Sequence, residues 1–204
     1  MDGVMPGDPS NPENMEDARN LCQNLGINYR EISIESTVKE FEDVAPFEIS
    51  KETLGNVRAR TRMIYEYIDA NENNLLVLGT GNRSELLIGY FTKYGDAATD
   101  ISPIADLYKT EVKRLAEHIG LNRKFIEKEP SAGLWDDHSD EDEIGLTYDK
   151  IDLILKQLVD QEKSVKEIAD GDIAREEVER INGMHQDSSH KRSLSEIHKL
   201  RPEK

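Results

Sequence analysis

Residues 75–96 read LLVLGTGNRSELLIGYFTKYGD. The apolar run Leu75-Leu76-Val77-Leu78 has the length and composition of a buried strand, and it runs straight into the Gly-rich turn GTGN. Past the turn come a carboxylate, Glu85, then Gly89, three aromatics (Tyr90, Phe91, Tyr94), Lys93 and Asp96. Ligands of open α/β sheets bind beyond the carboxyl ends of strands, so this stretch reads as the wall of a small-molecule site.

The flanking sequence alternates helix and strand signals. Asn11 is the N-cap and Pro12 the first residue of a helix carrying Met15, Ala18, Leu21, Cys22 and Leu25, which Gly26 stops. The alternating, β-branched Asn28–Ile34 follows as a strand. A helical stretch spans Val57–Ile68, and Val112, Leu115, Ala116 and Ile119 mark another that Gly120 closes. The segment TYDKIDLILKQLV is amphipathic, and the residues from Ser164 are helical with weak apolar content. This order predicts an α/β fold, a parallel sheet flanked by helices, in a single domain over 1–204 with a polar, flexible tail over 183–204. The opening residues read as a loop leading into the first helix.

Composition narrows the function. The 204 residues are 36% hydrophobic and 33% charged, enough for a substantial core. A formal charge of −16 excludes general nucleic-acid binding, which needs clustered Lys and Arg. No apolar stretch is long enough to cross a bilayer, and MDGVMPGDPSNPEN has neither the basic leader nor the apolar core of a signal peptide, so a cytoplasmic enzyme is expected. The single cysteine, Cys22, lies on an apolar stripe and reads as core.

Arg60 falls on the stripe of Val57 and Ile64, whereas Arg58 and Arg62 lie off it, so position 60 is expected to face inward. A guanidinium there needs either an acidic neighbour or an anionic ligand, and both readings are open. Lys109 stands in the first turn of its helix, where a cation opposes the helix dipole unless a phosphate binds at the same end; the plainer reading is a solvated lysine near Asp106. Glu85, with Asp96 or Asp100, suits Mg²⁺ held partly by substrate phosphates. The acid run DDHSDEDE (136–143) lacks the ligand order of a calcium loop and reads as a solvated loop. His190-Lys191-Arg192 by themselves read as tail.

Taken together, GNVRARTRM (55–63), LLVLGTGNRSE (75–85), GYFTKYGD (89–96), TDISPIADLYKTEV (99–112), EPSAGLWD (129–136), LTYDKIDLIL (146–155) and HKR (190–192) resemble the ammonia-dependent NAD synthetases, in consistent order and in an archaeal-like form. The resemblance implies an adenine-nucleotide α-hydrolase-like (Rossmann-like) fold. It implies a reaction in which ATP adenylates the nicotinate carboxylate of deamido-NAD and ammonia displaces AMP. It places Thr80, Lys109 and Ser131 on ATP, Arg60, Lys93, Asp100, His190 and Lys191 on deamido-NAD, and Glu85 on Mg²⁺, in a homodimer.

Two departures stand out. Ala97-Ala98 replace a Gly-Gly pair, and the Ser-Gly-Gly-x-Asp-Ser pyrophosphate loop that family members carry ahead of the present Met1 is not in the sequence. The expectation is therefore an N-terminally truncated domain, lacking a first strand and a second acidic Mg²⁺ ligand, with low activity by itself. The rival readings are another ATP-pyrophosphatase amidotransferase and a non-catalytic binding or dimerisation module of the same fold.

Overall fold

Strand β1 (Asp2–Val4) pairs in parallel with β2 (Tyr29–Glu31), Gly3 lying opposite Arg30. The opening residues are thus a strand and not the expected loop: Asp2–Val4 is too short to signal a strand in sequence, and the partner β2 supplies the pairing. The computed structural model describes residues 2–7, 11–131, 139–195, 197–198 and 200. Expectations resting on 8–10 of the opening turn, 132–136 of EPSAGLWD and 136–138 of the acid run lie outside the described residues.

Among the described residues ten α-helices follow in order: α1 (Pro12–Leu25), α2 (Glu35–Val44), α3 (Lys51–Asn73), α4 (Arg83–Ile88), α5 (Lys109–His118), α6 (Arg123–Ile126), α7 (Asp140–Ile144), α8 (Tyr148–Leu155), α9 (Val165–Ala169) and α10 (Arg175–Asp187). The chain divides into two units: Met1–Thr80 with Thr92–Pro103 and Glu127–Gly145, and Gly81–Phe91 with Ile104–Ile126 and Leu146–Lys204. Among the described residues no helix is long and apolar enough to cross a membrane.

The first unit is built on local signals that the sequence carries plainly. The Asn11 side chain accepts the Glu13 N–H at 2.8 Å, Pro12 opens α1, and Gly26 closes it in the left-handed region at φ 66°. Cys22 is buried, as its stripe predicts. Ser50 caps the 23-residue α3 through the Thr53 N–H. The described part of the acid run is no loop: Asp140–Glu143 form the first turn of α7, where carboxylates favour the positive end of the helix dipole, and Asp140 is buried.

Leu75–Leu78, expected as a strand, makes only a one-residue parallel bridge, Leu78 to Ile101. Its hydrogen bonds explain this. The Val77 carbonyl accepts the N–H groups of Asp100 and Ile101 at 2.9 and 3.2 Å, and the Val77 N–H goes to the Asp100 carboxylate at 2.8 Å. Backbone groups alternate sides along an extended chain, so those of Leu76 and Leu78 face away from Ile101. On this segment lies a groove of about 550 Å³, lined also by Met5, Ile32, Tyr65 and Ile68. Leu76 and Leu78 are 63% and 62% exposed.

The second unit holds the denser apolar core: Ile151, Ile154 and Leu155 of α8 with Val178 and Ile181 of α10 are fully buried. A π-helical turn, Lys156–Asp160, prolongs α8.

An apolar extended edge over a groove favours self-association. Replacing Leu76 and Leu78 together by Lys is expected to lower the weight-average mass of the 204-residue chain in sedimentation velocity. A wild-type chain that stays monomeric at all concentrations would contradict this.

Candidate active site

In the second unit, Asn82 and Glu85 form a reciprocal cap at the start of α4. The Asn82 side chain accepts the Glu85 N–H at 3.1 Å, and Glu85 Oε2 accepts the Asn82 N–H at 3.0 Å. This fixes the carboxylate, whose other oxygen, Oε1, accepts the Lys109 ammonium at 2.9 Å. The pair is largely shielded, with Lys109 21% and Glu85 17% exposed, and the ammonium lies 5.1 Å from the centre of the Tyr148 ring. Shielding from water strengthens both the charge pair and the cation–π contact.

The helix start that was expected to welcome a phosphate is already capped. The Lys109 N–H donates to Ser84 Oγ and the Thr110 N–H to Asp152 Oδ2, each at 2.8 Å, while the Tyr108 N–H goes to Glu111 at 3.0 Å. The charge of Lys109 is therefore balanced by Glu85, and the N–H groups of α5 answer to protein acceptors. Lys109 is not the solvated lysine of the plainer reading.

A second cluster of cations and an aromatic ring adjoins this pair in the same unit. Arg83, next to the cap residue, donates to Asp106 at 2.9 Å and to Asp160 at 2.7 Å, and the Tyr108 hydroxyl donates to Asp160 at 3.0 Å. The Arg83 guanidinium and the Lys156 ammonium lie 5.3 and 4.7 Å from the Tyr108 ring centre, and Lys156 donates to Glu111 at 2.7 Å. Burial is the main cause that pushes the Tyr108 hydroxyl up to about 12, so it stays protonated at any working pH. Burial disfavours charge on Asp160, yet hydrogen bonds from Arg83 and Tyr108 prevail and hold it below the usual carboxylate range.

His190, Lys191 and Arg192 form a 3-10 turn (Ser189–Arg192) directly after α10. The Lys191 ammonium donates to the carbonyls of Gly89 at 2.7 Å and Phe91 at 3.1 Å, and Arg192 donates to Leu87 O at 2.9 Å. These cations satisfy carbonyls at the C-terminal end of α4, where the helix dipole favours positive charge. His190 is exposed on the turn.

In the first unit, Arg60 is exposed and donates through Nε and Nη2 to the Lys93 carbonyl at 3.3 and 3.2 Å. The inward expectation for Arg60 is corrected. The buried face of α3 carries Gly55, Arg58, Thr61 and Ala70, while Ile64 and Ile68 of the presumed inner stripe are exposed. The Arg62 Nε donates to Met5 O at 2.9 Å, so Arg58 and Arg62 face the opening segment instead. Asn56 accepts from the Thr92 hydroxyl at 2.7 Å, which ties GNVRARTRM to the FTKYGD turn and brings Arg60 to Lys93. The Asp100 carboxylate accepts from the Val77 N–H and from the Tyr67 hydroxyl at 3.3 Å. Thr80 is exposed at the groove, and Ser131 is exposed at the last described residue of its loop. Among the described residues no group of three or more His, Cys, Asp or Glu could hold a metal ion.

The sequence matches the NAD synthase family over residues 3–195. The NH(3)-dependent NAD(+) synthetase of Thermococcus sibiricus is 48% identical over 181 residues, covering 88% of this chain and 71% of that protein. The protein of the same description from Halobacterium salinarum is 42% identical over 193 residues, covering 94% of this chain and 72% of its own length. Among solved structures, an NMN synthetase from Francisella tularensis superposes with a TM-score of 0.85 at 35% identity, over 97% of this chain and 78% of that one. An NH3-dependent NAD synthetase from Campylobacter jejuni does so with a TM-score of 0.79 at 32% identity, over 97% and 76%.

The chain belongs to the NAD synthase family.

Its fold is the adenine-nucleotide α-hydrolase-like α/β fold of these neighbours. Arg83, Tyr108, Asp152 and Asp160 of this NAD synthase chain escaped the sequence reading, although the first three stand inside motifs quoted above. Their signal was present only as adjacency: Arg83 lies between the two cap residues Asn82 and Glu85, Tyr108 directly precedes Lys109, and Asp152 lies one turn beyond Tyr148 on α8.

Gly89, which opens GYFTKYGD, is required twice. Its φ is +72°, and a Cβ there would lie 2.1 Å from the Ser188 Cβ. Gly89→Ala is expected to destabilise the chain by about 2–4 kcal/mol, summing a left-handed backbone cost and overpacking. Urea denaturation with wild type in parallel checks this, and a change within experimental scatter would contradict the close approach.

Proposed function

We propose that the chain catalyses the ATP-dependent amidation of deamido-NAD with ammonia, giving NAD, AMP and pyrophosphate. The observation that supports it is the family match across residues 3–195, together with 48% identity over 181 residues to an NH(3)-dependent NAD(+) synthetase. In this reading Arg60, Lys93, Asp100, His190 and Lys191 bind deamido-NAD, and Thr80, Lys109 and Ser131 bind ATP. The exposed guanidinium of Arg60, whose protein partner is a neutral carbonyl, retains its charge for an anion. An ammonium has three donors, so Lys109 can hold Glu85 and still meet a phosphate oxygen. Positioning and preorganised charge, not covalent chemistry, are what such adenylation asks of the protein.

The residues present fit Mg²⁺ arriving with the triphosphate. Each Glu85 oxygen accepts one hydrogen bond and has a further lone pair, and Mg²⁺ commonly takes one or two carboxylates together with substrate phosphates and water. Bound there, the ion would neutralise charge on the departing pyrophosphate. A cytoplasmic homodimer completes the reading.

The test is NAD formation by the purified chain with ATP, Mg²⁺, deamido-NAD and ammonia, followed by mass spectrometry. Because a solved relative is an NMN synthetase, the mononucleotide acceptor is run in parallel; its preferential amidation would replace the dinucleotide assignment. Binding of deamido-NAD without pyrophosphate release would instead favour the non-catalytic module. Arg60→Ala is expected to weaken deamido-NAD binding about 10- to 100-fold by calorimetry, the scale of a charge-assisted contact. Unchanged affinity would remove Arg60 from the site.

A further inference from the structure

Asp152, in the middle of α8, is 2% exposed. A carboxylate so deeply buried is costly unless its oxygens are satisfied. They are: Oδ1 accepts the Ser84 hydroxyl and Oδ2 accepts the Thr110 N–H at 2.8 Å. Ser84 Oγ in turn accepts the Lys109 N–H at 2.8 Å. The two peptide N–H groups that flank the Lys109 Cα therefore both lead to one carboxylate, one directly and one through a hydroxyl. Peptide units are planar, so pinning the pair fixes the backbone torsions at Lys109 and with them the direction in which its Cβ leaves the helix.

The same two helices also receive the far end of the side chain. α4 supplies Ser84 to the main chain and, one residue on, Glu85 to the ammonium. α8 supplies Asp152 to the main chain and, one turn earlier, Tyr148 as the ring near the ammonium. Residues four apart share a helix face, so Tyr148 and Asp152 meet Lys109 from one side.

We infer that Asp152, acting through Ser84 and the first turn of α5, is a positioning residue that aims Lys109 for the nucleotide. This rests on the reading of Lys109 as an ATP contact. Asp152 touches neither substrate nor reacting atoms in this role. A filler of the core could be an apolar residue of similar volume; what singles out the carboxylate is that it accepts at both ends of the Lys109 peptide pair.

The experiment is brief acetylation of the native 204-residue chain with an amine-reactive ester, quantified lysine by lysine by peptide mass spectrometry, with and without Mg–ATP. In Asp152→Asn and in the milder Ser84→Ala, acetylation of Lys109 is expected to rise about fivefold, the scale of losing one hydrogen bond, while Lys113, Lys150 and Lys166 keep wild-type rates. Mg–ATP should protect Lys109 in wild type and protect it less in both variants. Unchanged labelling of Lys109 in the folded Ser84→Ala chain overturns the inference, as does a rise shared by all lysines of the unit, which marks general loosening. Raised, selective labelling with no protection by Mg–ATP in wild type overturns it differently: the brace on Lys109 stands and its nucleotide role falls.

Discussion

The second unit turns on one charge pair, Lys109 with Glu85 at 2.9 Å. A shielded ammonium and carboxylate are each expensive to desolvate, and they are tolerated only when the geometry of the pair is held. Around this pair every neighbouring element is committed. Asn82 and Glu85 cap each other, Tyr148 lies beneath the ammonium, and Ser84 and Asp152 hold the backbone from which Lys109 springs. For the proposed reaction, which is governed by alignment, such mutual bracing holds the candidate site in place before ligand arrives.

The fold was legible where local chemistry decides structure. Asn11, Pro12 and Gly26 announce α1, and Gly120 follows α5 closely, because caps and breakers act within a few residues. It was illegible where pairing decides. β1 exists because β2 lies beside it, and Leu75–Leu78 forms a single bridge because the Val77 N–H goes to the Asp100 carboxylate where a ladder would offer it a backbone carbonyl. Strand formation depends on partners distant in sequence, which no window of residues contains.

Arg60 shows the limit of reading a helix face from periodicity. The stripe of Val57, Ile64 and Ile68 is real, but apolar residues are not obliged to face the core, and much of any protein surface is apolar. The buried face of α3 has Gly55, Arg58, Thr61 and Ala70, and Arg62 donates to the Met5 carbonyl. For the site itself, residue types at motif positions named Glu85 and Lys109 but not Asp152. A buried carboxylate that works through another residue leaves no mark in the sequence beyond an aspartate on an apolar helix, which any surface turn would also supply.

The closing of α4 by Lys191 and Arg192 bears on how the chain is made. The carbonyl of Gly89 waits for an ammonium 102 residues later. During synthesis, α4 emerges and remains without these partners until roughly a hundred further residues have been made, and contacts of such long sequence separation form slowly. The closing of α4 therefore comes late, and a chain interrupted shortly before residue 191 leaves the helix bearing Glu85 without the cations that close it.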